Sequence, residues 1–277
     1  MDNNVLVVVG MHRSGTSLLT QWLYKCGLNV GNDLVGPSTG NEDGHFEDTD
    51  FFELHRQTLR EQELPDNGFI HHSLDKLTNR QKYKLELLID KKNSVQHQWG
   101  WKDPRTCLFL PFYRQLIPHA KYIVIWRSYN VVVSSLINRI YNLDVHEVEI
   151  KKGLFKSLRN NTRRNRFKES LCKEHCEDFL KIWITYNEAI LNHLKQLSSY
   201  SALIVEHSAL LANNQVIFKH LSNQWNFDLA YYNLQDIYKE KLVSKVIDID
   251  KYISDKSLLT HAKQVEEALF KASNFHH

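Results

Sequence analysis

Five consecutive aliphatic residues, Val5-Leu6-Val7-Val8-Val9, run without a polar interruption into Gly10. A strand with no polar alternation is buried on both faces, which a chain achieves in a parallel sheet covered by helices. The next residues narrow the choice further. Gly10-Met11-His12-Arg13-Ser14-Gly15-Thr16-Ser17 is a polar loop with two glycines, and residues 17–25 place Leu18, Leu19, Trp22 and Leu23 at helical spacing before Gly27. Strand, glycine loop and helix in that order aim consecutive backbone N–H groups and the positive end of a helix dipole at one point, which is how phosphate is held. The glycine spacing is that of a P-loop, but Thr16 stands where the lysine of an ATP or GTP hydrolase belongs, and the cation is Arg13, three residues earlier. A mere tight turn would need the glycines alone, without Arg13, Ser14, Thr16 and Ser17.

Strand and helix patterns then alternate. Strands are expected at 98–102, 121–126 and 202–206, followed by helical patterns at 106–116, 130–141 and 209–221. This predicts an α/β fold, a P-loop-like parallel sheet flanked by helices. Two helical segments interrupt it: an amphipathic helix at 75–92, expected on the rim, and a helical, basic insertion at about 142–197. In the second half of that insertion Phe179, Ile182, Trp183, Tyr186, Ile190 and Leu194 form a stripe expected to enter the core. No linker or repeat divides residues 1–277, so one domain is expected. Ligands of such sheets sit at the carboxyl ends of the strands, here just after Val9, Lys102 and Trp126.

With 42% hydrophobic and 24% charged residues, the composition excludes low-complexity and largely disordered classes. No apolar run approaches the roughly 20 residues that cross a bilayer. The N-terminus has Asp2 in place of a basic region and lacks a small-residue cleavage site, so a cytoplasmic chain is expected. Cys26, Cys107, Cys172 and Cys176 are too scattered for a disulfide framework. Cys172, His175 and Cys176 share one helical turn but lack a fourth ligand at zinc-like spacing, so free thiols are expected and no metal. His276-His277 reads as the stub of a purification tag. The net charge of +3 suggests no partner, yet Lys151, Lys152, Lys156, Arg159, Arg163, Arg164, Arg166 and Lys168 follow one another without an acidic residue between them. That run is either a solvated helix face or a lid over an anionic ligand. With only Phe155 and Phe167 interleaved, RNA is disfavoured and no nucleic acid is expected.

Gly-Met-His-Arg-Ser-Gly-Thr-Ser-Leu-Leu resembles the 5′-phosphosulfate-binding loop of sulfotransferases that use 3′-phosphoadenosine-5′-phosphosulfate (PAPS), above all the bacterial and carbohydrate-type branch. The resemblance implies that His12, Arg13, Ser14, Gly15, Thr16 and Ser17 bind the donor, with Arg13 on the bridging and sulfuryl oxygens. It further implies that the 3′-phosphate is held by an Arg closing a strand and a Ser eight residues on, here Arg127 and Ser135. Arg suits that work because its planar fork grips phosphate through two bonds. Gly44-His45-Phe46-Glu47-Asp48 resembles the segment that delivers a catalytic Glu, so Glu47 is the expected base, His45 its alternative, and Asp48 a helix cap. Phe46 would raise the Glu47 pKa if both were enclosed. In Trp101-Lys102-Asp103-Pro104-Arg105 the resemblance assigns Lys102 to stabilising charge on the transferring group. Asp103 is expected to orient Lys102 or Arg13, and Arg105 to contact donor or acceptor.

The Arg-Lys-Gly segment with which cytosolic small-molecule members grip the 3′-phosphate is missing, and Lys241 and Lys245 are candidate substitutes. The implied acceptor is a hydroxyl on a carbohydrate or glycolipid, with peripheral membrane contact compatible. No metal is required in this scheme. The rivals are a nucleotide-dependent kinase on the same fold and a non-catalytic anion-binding protein.

Overall fold

The computed structural model describes residues 3–36, 44–152, 161–239 and 246–276. Strands β1 (Asn4–Val9), β2 (Gln98–Lys102), β3 (Lys121–Trp126) and β4 (Ala202–Glu206) form one sheet in the order β2-β1-β3-β4. All three pairings are parallel, with Val8 opposite Lys102, Val9 opposite Val124 and Trp126 opposite Glu206. The unbroken apolar run of β1 is explained by its two faces: Val5, Val7 and Val9 enter one core cluster, while Leu6 and Val8 enter the other. The chain leaves β1 toward β2 and then crosses back to β3. This puts the switch point of the topology beside the end of β1, where such sheets open a crevice.

Helices α1 (Thr16–Lys25) and α7 (His207–Lys219) cover the Leu6 and Val8 face with Leu19, Leu23, Leu210 and Ile217. The other face carries α2 (Thr49–Glu61), α3 (Asn79–Val95), α4 (Thr106–Leu116), α5 (Tyr129–Lys152), α6 (Asn161–Leu194) and α8 (Lys256–Ala272). Of the α6 stripe, Phe179, Ile182, Trp183, Tyr186 and Ile190 are buried, while Leu194, in the last turn, is half-buried against the same core.

Several boundaries differ from expectation. The helix expected at 75–92 starts four residues late, because Thr78 and Gln81 form a capping box that fixes its N-terminus. Helix α5 runs past 141 to Lys152. The C-terminal α8 was not anticipated, although Leu259, Ala262, Val265 and Leu269 give it a buried face at helical spacing and Asp255 caps it. In the basic run, Arg163, Arg164 and Arg166 are exposed along α6, a solvated face, and Lys156, Arg159, Lys241 and Lys245 lie outside the described residues. The four cysteines are buried free thiols. Among the described residues no helix is long and apolar enough to cross a membrane, and no cluster of His, Cys, Asp and Glu could hold a metal ion.

Candidate active site

The carboxyl ends of the strands surround a cavity of about 940 Å³, lined in part by His12, Arg13, Glu47, Lys102 and Arg127. That volume lies toward the upper end of the roughly 300–1,000 Å³ usual for small-molecule sites. The loop after β1 forms its floor. Gly10 lies so close to the Ile125 carbonyl of β3 that a Cβ would strike it. Gly15 caps α1 in the left-handed region, with φ +93°, and a Cβ there would strike the His207 ring. Gly15→Ala is therefore expected to cost about 1–3 kcal/mol in unfolding experiments, since it combines backbone strain with displacement of His207. Arg13 itself has φ +68° and Phe46 φ +52°, so two of the four non-glycine residues of positive φ among those described stand on the site's loops. Such strain persists where the surroundings impose it.

Arg13 Nε donates to Ser135 Oγ at 2.9 Å, joining the loop to α5. Arg127, at the end of β3, directs Nη1 to the Arg13 carbonyl oxygen at 3.4 Å, and its Nη2 lies 2.6 and 2.8 Å from the ring nitrogens of His207. Burial, then the neighbouring Arg13 charge, lower Arg127 to about 10, so it stays a cation at neutral pH. Burial and Arg127 lower His207 to about 3, leaving a neutral ring against the guanidinium. The loop, Arg127 and Ser135 thus lie together at the strand ends. However, the hydroxyl of Ser135 meets Arg13 rather than Arg127, and neither Ser14 nor Ser135, both buried, lines the cavity.

Beside the loop, Lys102 Nζ donates to Glu47 Oε1 at 2.8 Å and to Ser17 Oγ at 3.3 Å. Lys102 is fully buried and Glu47 is 5% exposed. The Glu47 segment is fixed by Val35 N donating to the Glu47 carbonyl, and by Asp48, which caps α2 and pairs with Lys92 at 2.6 Å. Burial pushes the Glu47 carboxyl above the ordinary range more strongly than the Lys102 ammonium pulls it down. His45 Nδ1 lies 3.8 Å from Glu47 Oε1. Burial, followed by the nearby Lys102 charge, lowers His45 to about 4. Of the two, Glu47 therefore has the basicity better suited to accepting a proton near neutral pH.

Asp103 departs from expectation. It orients neither Lys102 nor Arg13. Its two oxygens accept from Arg105 Nη1 at 2.7 and 2.8 Å, and its Oδ2 lies 3.3 Å from His55 Nδ1. Pro104 and the turn into α4 fold Arg105 back over the carboxylate, and the Arg105 backbone N–H also donates to Asp103 Oδ1 at 2.8 Å. His55 is held in turn by Tyr113, 2.7 Å from Nε2. Arg105 spends a further donor on the Asp66 carbonyl at 2.9 Å, so it lines the cavity as a wall braced from behind. His12 forms another part of the wall, edge-on to Phe69 with ring centroids 5.2 Å apart. Burial, then Arg105, lower His12 to about 3, and its buried Nε2 has no hydrogen-bond partner among the described residues.

His207 was missed in the sequence, although it follows directly on β4 and the strand-end rule applied to the other strands would have found it. His55 and Tyr113 carry no local signal, since they meet Asp103 only through the packing of α2 against α4.

No family model matches the chain, and no curated protein matches it. Solved structures do. Sulfotransferase STF9 from Mycobacterium avium superposes with a TM-score of 0.62 at 13% identity, covering 96% of this chain and 77% of that one. The sulfotransferase domain of the Synechococcus PCC 7002 olefin synthase gives 0.48 at 15% identity, over 99% of this chain and 97% of that one. The sulfotransferase domain of the curacin biosynthetic pathway gives 0.49 at 14% identity, over 97% and 98%. The chain has the sulfotransferase fold, a parallel sheet flanked by helices whose strand ends carry a phosphate-type loop. At this identity the likeness speaks for the fold.

Proposed function

We propose that the protein is a sulfotransferase that moves a sulfuryl group from PAPS to an acceptor hydroxyl. The observation that carries this reading is a single cavity at the switch point, lined by the glycine loop, by Arg127 and by the buried Glu47–Lys102 pair. The donor supplies a sulfuryl group already activated by its anhydride link to phosphate. The residues fit it: the N-terminus of α1 and Arg13 offer one anion position, and Arg127, backed by a neutral His207, offers a second.

In this scheme Glu47 takes the proton of the attacking hydroxyl. Lys102 bridges Glu47 and Ser17, which places its charge between the base and the loop. Fixed donors of that kind lower the barrier where negative charge spreads over transferring oxygens. Ser135 positions Arg13, and Asp103 acts through Arg105, bracing the wall. For the acceptor, the cavity contributes Phe46, Phe69, Ile140, Leu143 and Phe179, a lining better matched to a lipid-linked alcohol than to a bare sugar.

A calorimetric titration tests the reading. 3′,5′-Adenosine bisphosphate is expected to bind at least tenfold tighter than ATP, and tighter ATP binding would hand the site to the kinase alternative. Arg127→Ala should weaken the bisphosphate by about 10- to 100-fold, the worth of charged hydrogen bonds, while changing 5′-AMP affinity little.

A further inference from the structure

Helix α5 lines the cavity beyond Ser135 with Leu136, Arg139, Ile140 and Leu143. These positions recur one and two turns along one face, so Arg139 projects about 6 Å further along the axis than Ser135. Arg139 makes no hydrogen bond or ion pair among the described residues, and the acids that share its cavity are already engaged. Glu47 pairs with Lys102 at 2.8 Å, and Asp66 accepts from Arg56 at 2.6 and 3.0 Å. The Arg139 charge is close enough to His12, Arg13 and His45 to act against protonation at each. A guanidinium beside a second one, with no carboxylate assigned to it, is an anion position.

Its surroundings differ from those of Arg13 and Arg127. Arg139 is flanked on its own helix by Leu136, Ile140 and Leu143, with Phe69 and Phe179 also on the cavity lining. Phe179 is 5% exposed and Leu143, toward the outer end of the strip, is 42% exposed. An apolar strip that begins at a cation near the reaction centre and ends in solvent matches an amphiphile whose anion sits at the inner end and whose tail points out.

Resting on the sulfotransferase reading, we propose that Arg139 selects the acceptor, an amphiphilic alcohol carrying one anionic group close to the hydroxyl that is sulfated, with its apolar tail along Ile140 and Leu143. The donor is itself polyanionic, so an acceptor anion entering beside it would be repelled unless a cation stood there. Arg139 supplies that cation, and an acceptor without the anion leaves it facing an apolar wall.

The test uses the whole chain saturated with 3′,5′-adenosine bisphosphate, titrated with 1-decanoylglycerol 3-phosphate and with neutral 1-decanoylglycerol. The phosphate form is expected to bind at least tenfold tighter, and Arg139→Met to erase that difference while Arg139→Lys keeps part of it. The bisphosphate should bind Arg139→Met within about twofold of the original protein, which shows that the variant is folded and its donor site intact. Equal binding of the two lipids to the original protein, or binding of neither, overturns the proposal. So does a tenfold loss of bisphosphate affinity in Arg139→Met, since Arg139 would then belong to the donor. If the original protein does not bind the bisphosphate at all, the sulfotransferase reading fails, and the difference between the two lipids, read on the protein alone, still decides the role of Arg139.

Discussion

Glu47→Gln is expected to lower turnover by about 10²–10⁴-fold, the usual contribution of a positioned general base, while leaving the affinity for 3′,5′-adenosine bisphosphate intact. Glutamine keeps the shape of the side chain and an oxygen that accepts from Lys102 Nζ, so the wall should hold while the proton acceptor is lost. The pH dependence provides a second readout. Burial raises the Glu47 carboxyl, with Lys102 opposing, so the active carboxylate form accumulates only as pH rises through a pKa above the ordinary carboxylate range. The original protein should therefore gain turnover along an acid limb displaced upward, and that limb should be absent from Glu47→Gln. If the variant kept a near-normal rate, His45, 3.8 Å from Glu47, would be the next group to test.

Asp103→Asn should be the most destabilising change at the site that leaves the bulk of the core untouched. Asp103 is fully buried and pairs with Arg105, itself 5% exposed. Removing one partner of a buried ion pair strands the other charge, at a cost of about 3–5 kcal/mol, on the order of 10 °C in melting temperature. Burial alone would push Asp103 up, but the Arg105 charge, with His55 and the Arg105 backbone N–H, outweighs it and holds the carboxyl well below the usual range. A carboxylate depressed in the folded state contributes stability that is present above its unfolded pKa, about 3.9, and is lost as pH falls through the folded value. Urea unfolding should thus show the full gap between the two proteins near neutral pH, narrowing below about pH 4. A gap that did not change with pH would mean that Asp103 acts by shape and not by charge.

How much of this was legible in the sequence depended on whether the signal was local. The β1 run, the glycine loop and α1 are contiguous, and each residue's role there follows from its neighbours. The same holds for Asp48, whose side chain accepts from the Asp50 backbone N–H two residues on at 2.9 Å and so caps α2 as anticipated. Asp103 illustrates the opposite case. Its sequence neighbour Lys102 suggested a partner, but successive residues of a strand point to opposite faces, and at the strand end Lys102 turned to Glu47 while Asp103 turned toward α2 and α4. The helix was expected to bring the Ser135 hydroxyl back to Arg127, yet its partner is Arg13 from the loop after the neighbouring strand, a matter of sheet order that spacing along α5 does not encode.

The sequence by itself determined the class of sheet, the loop that can hold an anion, and the set of cations at three strand ends, because periodicity and glycine placement act over a few residues. Which cation faces which carboxylate was decided only by the tertiary structure. Parallel pairing in the order β2-β1-β3-β4 set Arg13 beside Arg127, the return of the chain before α2 delivered Glu47 to Lys102, and the packing of α5 left Arg139 on the cavity lining with no acid of its own among the described residues. Burial then fixed the electrostatics, since an ion pair removed from water is governed by what lies within a few ångströms and not by its distance along the chain.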